Sequence, residues 1–329
     1  MTDSEKAFEK EPIDAVVAWV DGTDPKHLQK RIQYSNSLSR APIPGAESTR
    51  FHSFNEVTYC VLSILKFAPF INKIYIVTDD QNPKIDAVIK QFFPERFNDI
   101  RRVDHLEIFE GYEELLPTFN SIAISSMLWR IKGLANQFVY FNDDIFCIRP
   151  LVPEVWFKKG RPVLRGQWHF PPFERLLWDG IKRFFGQKKI AASFQIHQWR
   201  AAQLFRFQWR YFRSGHTPLP MRRDHLENFY TQHPELLASN ISSRFRTYEQ
   251  FNTVALSSHL EIRNGNKNRS AINAVYMQPH HRGVEYVNKK FNKCLHSSAV
   301  YFLCIQSLDQ ASQAEQEKVK EYLDKIFKN

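Results

Sequence analysis

Residues 137–150, QFVYFNDDIFCIRP, join an apolar run to two adjacent carboxylates. The aromatic and β-branched residues at 138–141 are typical of a buried strand. Asp143 and Asp144 follow that run directly after Asn142. Burying both carboxylates is unfavourable, because a desolvated unpaired charge is costly or is lost by protonation. A hard divalent cation takes carboxylate oxygens as ligands, so the segment predicts a Mg²⁺ or Mn²⁺ site at the end of a strand.

Two earlier apolar runs have the same design. The run IDAVVAWV ends at Asp21 and Gly22, and the run KIYIVT ends at Asp79. Between them, apolar residues three or four apart at 55–67 predict a helix. Strands that alternate with helices predict an α/β fold with a mostly parallel sheet. Ligands bind outside the carboxyl ends of such strands, so we expect all of these carboxylates on one rim.

The bulk properties restrict the class of protein. The net charge is +10, which favours an anionic partner. No apolar run approaches the roughly 20 residues that span a bilayer. The charged N-terminal segment, MTDSEKAFEKEP, lacks the apolar core of a signal peptide. The four cysteines show neither CxxC nor zinc-binding spacing. Together these features predict a cytoplasmic protein.

Residues 158–213 differ in composition from the rest of the chain. They contain 13 Lys and Arg residues against only Glu174 and Asp179, interleaved with many aromatic residues. Three interpretations remain open. The segment could lie as an interfacial helix on anionic lipid. It could form a basic groove that stacks nucleic-acid bases, or a helical insertion that packs its aromatics against the main domain.

Several catalytic motifs are missing from the sequence. There is no phosphate-binding P-loop, no GxGxxG dinucleotide motif, no GxSxG nucleophile elbow and no HExxH zinc motif. A carboxylate-lined rim with a divalent cation suits a nucleotide-activated substrate, where catalysis depends on positioning and on neutralising phosphate charge. Two reactions fit: transfer of a sugar with release of UDP, or transfer of a sugar phosphate with release of UMP.

Four segments in order resemble one known family. Residues 13–25, IDAVVAWVDGTDP, resemble the first conserved region of the Stealth hexose-1-phosphate transferases, which include bacterial capsule polymerases and the animal GlcNAc-1-phosphotransferase. Residues 50–157 resemble the second region, with KIYIVTDDQNP, LPTFNS and FVYFNDD in the expected order. Residues 215–251 resemble the third region and residues 302–327 the fourth.

The resemblance implies a Rossmann-like, GT-A-related α/β fold. It also implies transfer of a sugar 1-phosphate from a UDP-sugar to an acceptor hydroxyl. Asp143 and Asp144 match the residues that hold Mg²⁺ and act on the acceptor. His216 and Arg246 match residues at the donor diphosphate. The implied residues of the donor pocket are Asp21, Gly22, Arg50, Asp79, Asn120 and Asn142.

The sequence departs from the family pattern at several positions. The fourth region usually reads Asn-Asp where this chain has Gln306 and Ser307. Asp309 lies two residues further on, and we predict it as a substitute metal ligand. In the second region, arginines are replaced by Thr58 and Leu62, and a glutamate by Ser125.

The resemblance also implies a division of the chain. We predict a solvated tail at 1–11, a catalytic α/β domain in two parts at 12–157 and 215–329, and a basic, aromatic helical insert at 158–214.

The predicted protein is a cytoplasmic, Mg²⁺-dependent sugar-1-phosphate transferase for a bacterial surface polysaccharide. It would use a UDP-sugar donor and a saccharide or lipid-linked saccharide acceptor, without nucleic acid, and the insert would contact the inner membrane. Either Asp143 or His216 would be the base. The alternatives are a GT-A glycosyltransferase that releases UDP and a non-catalytic nucleotide- or polysaccharide-binding scaffold.

Overall fold

The computed structural model describes residues 11–38, 55–186 and 193–328. The strands are β1 (Ile13–Ala18), β2 (Ile71–Thr78), β3 (Ile100–Asp104), β4 (Gln137–Asn142), β5 (Ile145–Cys147), β6 (Phe157–Lys158), β7 (Arg161–Pro162), β8 (Leu164–His169), β9 (Tyr211–Ser214), β10 (Leu219–Arg222), β11 (Arg269–Ser270), β12 (Ala274–Met277) and β13 (Phe302–Ile305). The helices are α1 (Pro25–Leu38), α2 (Glu56–Phe67), α3 (Asp86–Phe92), α4 (His105–Ile108), α5 (Ser121–Met127), α6 (Phe173–Phe184), α7 (Phe194–Gln203), α8 (Arg223–Gln232), α9 (Pro234–Ile241), α10 (Thr253–Arg263), α11 (Gly283–His296) and α12 (Gln313–Phe327).

The central sheet has five strands in the order β10-β4-β1-β2-β3. β1 pairs in parallel with both β2 and β4, and β2 pairs in parallel with β3. The predicted α/β fold with a mostly parallel sheet is confirmed. The antiparallel edge strand β10 was not predicted. It contains Pro220, which an edge strand tolerates because no partner strand needs its missing N–H.

Two hydrophobic cores cover the two faces of this sheet. Alternate residues of a strand point to opposite faces, so Val139 of β4 joins one core and Phe138 the other. The first core is completed by α2, α11 and α12, and the second by α5, α8, α9 and α10. Burial on both faces explains why β1 and β4 are apolar runs without alternation.

A second sheet of three strands, β12-β13-β5, adjoins the end of β4. β13 pairs with β5 in antiparallel and with β12 in parallel fashion. The backbone N–H of Ile305, the last residue of β13, donates to the carbonyl of Asp144 at 3.0 Å. This pairing brings the predicted fourth conserved region next to the two central carboxylates.

The basic segment 158–214 contains helices α6 and α7, as expected, but it also contains strands β7–β9 and the second residue of β6. β8 pairs with β9 and with β11, so the segment shares a three-stranded sheet with residues 269–270.

The predicted tail at 1–11 lies outside the described residues except for Glu11, whose carboxylate is 3.3 Å from the Arg222 guanidinium. Among the helices in the described ranges, none has both the length and the apolar character needed to cross a membrane.

Candidate functional site

The carboxyl ends of three parallel strands open into one cleft of about 670 Å³. Ala18 at the end of β1 is paired with Val77 of β2 and with Asn142 of β4, so the three ends lie level along one edge. Ala18, Val77 and Asn142 all line the cleft. The cleft is therefore where the sequence predicted a ligand, because parallel strands place their C-terminal loops together.

Asp143 and Asp144 form the turn between β4 and β5, where the chain passes from the central sheet to the second sheet. Burial, followed by the charge of Glu56, raises the pKa of Asp143 well above its usual value and that of Asp144 to about 7. The thiol of Cys304 lies 3.8 Å from Asp144 Oδ2, whereas Asp144 Oδ1 is buried and has no partner among the described residues.

This carboxylate pair fits a hard divalent cation. A cation would satisfy the unpartnered Asp144 Oδ1 and would stabilise the ionised carboxylates against the burial and the Glu56 charge that raise both pKa values. In the described part of the chain, no group of three or more His, Cys, Asp or Glu residues is arranged to hold a metal by itself. Mg²⁺ suits such a site, because it is commonly bound by one or two carboxylates together with waters and substrate phosphates.

The end of β13 forms another wall of the cleft, with Gln306, Ser307 and Asp309. The hydroxyl of Tyr276 donates to Gln306 Oε1 at 2.6 Å. Ser307 has a φ of 56°, in the left-handed region, where Asn and Asp are several-fold commoner than most residues. That local conformation is consistent with the Asn-Asp pattern from which this chain departs. Asp309 remains a predicted metal ligand.

His216 lies in the loop after β9 and lines the same cleft. Its ring lies between Phe194, with centroids 5.7 Å apart and planes at 24°, and Tyr276, with centroids 4.9 Å apart. Burial, and then the charge of Arg213, lower the pKa of His216. The imidazole is therefore neutral at pH 7, and two aromatic rings pack against it.

Arg246 reaches the cleft from the loop at 243–250, which precedes α10. Its guanidinium donates to the hydroxyl of Ser121, the first residue of α5. A guanidinium presents several N–H donors in a planar fork that suits phosphate oxygens. Arg246 and the carboxylate pair thus line one cleft, although about a hundred residues separate them in the sequence.

Asn120 does not line the cleft but is fully buried behind it. Its Oδ1 accepts from the Ile122 N–H at 3.1 Å and caps α5. Its amide donates to the carbonyls of Ser243 at 2.9 Å and Phe245 at 3.1 Å, and to Gln250 Oε1 at 3.0 Å. In this structure Asn120 therefore fixes the loop that carries Arg246, and its place in the donor pocket stays a prediction.

Asp21, Gly22 and Asp79, three other predicted donor residues, are not in the lining of this cleft. The carboxylate of Asp21 accepts from the backbone and hydroxyl of Thr23 at 2.9 and 2.6 Å, in the turn that includes Gly22. Asp79 is 3.3 Å from the Lys30 ammonium. Arg50 lies outside the described residues. The predicted residues that the cleft brings together are Asn142, Asp143, Asp144, His216, Arg246 and Asp309.

Two histidines in the cleft wall were missed by the sequence prediction. His105 follows the end of β3, and His197 lies on α7. Burial lowers the pKa of each to about 4, so both are neutral. His105 could have been found by the rule that drew attention to Asp79, since it too stands at the carboxyl end of a parallel strand. His197 carried no such signal, because it lies in the middle of a helix.

Two family descriptions match the chain. Stealth protein conserved region 1 matches residues 11–39, and conserved region 2 matches residues 50–163. An exopolysaccharide phosphotransferase of Streptomyces coelicolor is 34% identical over 238 residues, which are 71% of this chain and 40% of that protein. A capsular polysaccharide phosphotransferase of Aeromonas hydrophila is 30% identical over 256 residues, 73% of this chain and 63% of that protein. A capsular polysaccharide phosphotransferase of Neisseria meningitidis is 39% identical over 145 residues, 44% of this chain and 37% of that protein.

The chain thus spans 37 to 63% of the length of these three relatives. Among solved structures, the galactosyltransferase LgtC in complex with donor and acceptor sugar analogues has a TM-score of 0.41 and 10% identity. The match covers 95% of this chain and 96% of that one.

Proposed function

The chain belongs to the Stealth family, and from that premise we propose that it transfers a sugar 1-phosphate from a UDP-sugar to an acceptor hydroxyl. The product would be a phosphodiester in a bacterial capsular or surface polysaccharide, with UMP released. The donor would be a UDP-hexose or a UDP-N-acetylhexosamine. The acceptor would be a saccharide, free or lipid-linked, at the cytoplasmic face of the inner membrane.

One observation carries this proposal: a single cleft contains a half-buried carboxylate pair, a guanidinium and a neutral imidazole from separate parts of the chain. Each group meets one need of phosphoryl transfer. Asp143 and Asp144 fit a divalent cation, Arg246 fits phosphate oxygens, and His216 can accept a proton. Transfer of a phosphoryl group depends mainly on such positioning and on neutralising charge.

In the proposed reaction, the acceptor oxygen forms a bond to the β-phosphorus of the UDP-sugar. The bond from that phosphorus to the bridging oxygen breaks, and UMP leaves with the oxygen. The hydroxyl proton passes to His216 Nδ1 or Nε2, or to the carboxylate of Asp143. Arg246 donates hydrogen bonds to the phosphoryl oxygens as their charge increases. Asp143 and Asp144 would hold Mg²⁺ or Mn²⁺, which supplies charge neutralisation when bound.

The test is to incubate the full chain with Mg²⁺, a saccharide acceptor and a panel of UDP-sugars, and to follow the phosphorus by ³¹P NMR. We expect a phosphodiester signal and UMP in equal amounts, and no product with Asp144→Asn. Release of UDP with no phosphorus in the product would instead identify a glycosyltransferase. Nucleotide binding without turnover for every donor and acceptor would identify a scaffold.

A further inference from the structure

Helix α6 is amphipathic, but its apolar side faces solvent and its buried residue is charged. Ordinary helices of a globular domain turn their apolar stripe towards the core and their polar side towards water. In α6 the one fully buried residue is Asp179, 1% exposed, whereas Leu177, Trp178 and Phe184 are 66, 60 and 86% exposed. Solvated apolar area of this extent marks an interaction surface.

The exposed residues form one continuous stripe. Phe173, Leu177, Ile181 and Phe184 are three or four residues apart, so their side chains lie in a row along one side of the helix. Asp179 lies two residues after Leu177, on the opposite side. We call Phe173, Leu177, Trp178, Ile181 and Phe184 the α6 stripe.

The side of α6 opposite the stripe anchors the helix to the domain. Arg175 Nε donates to Asp179 Oδ2 at 2.9 Å, and Leu176 packs against Ile196 and Tyr248. The Arg183 guanidinium lies over the Tyr248 ring, 4.6 Å from its centroid. The helix thus has a defined attachment, and its orientation leaves the stripe facing outwards.

We infer that the α6 stripe docks this protein on an anionic lipid surface. Interfacial helices combine Trp, Phe and Leu on one face with Lys and Arg at its borders. In α6, Lys182 lies one turn after Trp178 at the edge of the stripe, whereas Arg175 and Arg183 lie on the side that attaches the helix. The surrounding segment 158–213 carries 13 basic residues against two acidic ones, which complements the negative potential of anionic lipids.

The shape and chemistry of the stripe favour lipid over nucleic acid. Single-stranded nucleic acid binds in grooves where flat aromatic rings stack on bases. The stripe instead lies on the convex surface of a helix and includes the aliphatic Leu177 and Ile181. Aliphatic side chains offer no stacking surface, but they gain free energy when they enter the acyl boundary of a bilayer.

Helix α6 is attached beside the cleft through the side opposite the stripe. Arg183 pairs with Glu249 at 3.2 Å, and Glu249 lies in the loop that carries Arg246. Phe194, which begins the next helix, lines the cleft itself. A membrane bound by α6 would therefore lie beside the cleft, where a lipid-linked acceptor could reach it. The docking does not depend on the proposed phosphoryl transfer, so either can fail alone.

The experiment is flotation of the full chain with vesicles of phosphatidylglycerol and phosphatidylcholine, and with vesicles of phosphatidylcholine alone. We expect binding to the mixed vesicles at low salt, weaker binding at high salt, and little binding to the neutral vesicles. The double variant Leu177→Glu/Phe184→Glu should lower partitioning by at least about tenfold, since burying each side chain contributes the equivalent of tenfold or more.

The matched control is Leu106→Glu/Val152→Glu, two substitutions of exposed apolar residues outside the segment, which should bind like the wild type. Ile181→Cys labelled with a polarity-sensitive fluorophore should shift to the blue on anionic vesicles, because the four native cysteines are buried and label poorly. No binding to anionic vesicles, or equal binding by the Leu177/Phe184 variant, would overturn the inference. So would a lipid-free dimer that this variant converts to a monomer, because the stripe would then pair with a second copy of the chain.

Discussion

Asn120 shows how a residue outside the cleft can control a residue within it. Its three amide contacts fix the loop at 243–250. The hydroxyl of the neighbouring Ser121 accepts a hydrogen bond from the Arg246 guanidinium. The backbone N–H of Phe119 also donates to the carbonyl of Arg244 at 2.8 Å. Residues 119–121 therefore position Arg246 in two ways. Phe119 and Asn120 bind backbone carbonyls of its loop, and Ser121 binds its side chain.

Replacing Asn120 with Asp should disorder this loop. The carboxylate can still cap α5, but it turns acceptor oxygens towards three groups that themselves accept. We expect a loss of about 1–3 kcal/mol in the free energy of unfolding, together with a higher KM for the UDP-sugar. Urea denaturation and initial rates measure the two effects. Ser312→Ala is the matched control: it removes the cap of α12 and should lower stability by about 1 kcal/mol with KM unchanged.

Arg246→Lys should keep the positive charge and still lose activity. A lysine ammonium cannot reproduce the planar fork of donors that would hold phosphate oxygens. We expect kcat/KM to fall by about 10²-fold, the effect of removing one preorganised donor from a developing oxyanion. Arg244→Lys is the matched control in the same loop. Arg244 contacts the Glu114 and Leu116 carbonyls and does not line the cleft, so its replacement should reduce kcat/KM less. Equal losses in both variants would mean that Arg246 acts through the loop structure alone.

Ser307→Asp should strengthen the response to a divalent cation. Ser307 lines the cleft in a left-handed conformation that Asp accommodates readily, so the change adds a carboxylate without new strain. We expect a lower Mg²⁺ concentration for half-maximal activity and a larger rise in Tm on adding Mg²⁺. Ser307→Asn provides the same backbone preference without the charge, so a similar gain in that variant would contradict a metal contact.

At the scale of elements, the strands with uniformly apolar sequences were predictable, and the strand that contains a proline was not. β1, β2 and β4 are apolar on both faces, which made them and their polar ends visible in the sequence. β10 reads LPMR, and its proline argued against a strand although an edge position permits one. The contact of Asn120 with residues 243–250 could not be predicted, because it joins positions more than 120 residues apart without any local pattern.

α10 and β9 are joined by one histidine in a defined protonation state. His259 Nε2 accepts from the Phe212 N–H at 3.0 Å, so its Nδ1–H donates to the Ala255 carbonyl at 2.7 Å. Burial lowers the pKa of His259 to about 4. A second proton on the ring would occupy the nitrogen that receives the Phe212 N–H and would break this link.

The protein should therefore lose stability as the pH falls from about 6.5 to about 4. In that window the unfolded chain binds a proton at His259 and the folded chain does not, so protonation favours unfolding. The full effect at this residue is about 3 kcal/mol. Urea denaturation of His259→Gln should show a weaker dependence on pH in this window than the wild type. The exposed His233→Gln is the matched control for the loss of a histidine. Parallel curves of stability against pH for His259→Gln and the wild type would contradict the assignment.

At the scale of the whole molecule, the last helix completes the core formed by the first half of the chain. Phe327 of α12 lies 6.1 Å from both Phe67 and Phe146 and 6.2 Å from Tyr59, measured between ring centroids. The Tyr59 hydroxyl donates to Asp324 Oδ1 at 2.8 Å, across 265 positions of sequence. β5, which contains Phe146, follows Asp144 directly, so this core also supports the carboxylate pair.

Phe327→Ala should therefore lower both the stability of the fold and the order of the cleft. Truncating a large buried aromatic side chain costs about 3–5 kcal/mol, and the ring here is 2% exposed. Because one core underlies both sheets, we expect tryptophan fluorescence and far-UV circular dichroism to report a single transition at lower urea. The exposed Lys325→Ala, two residues before Phe327 in the same helix, should leave the free energy of unfolding within about 0.5 kcal/mol of the wild type. Separate transitions for the two probes would show instead that α12 and its neighbours unfold independently of the central sheet.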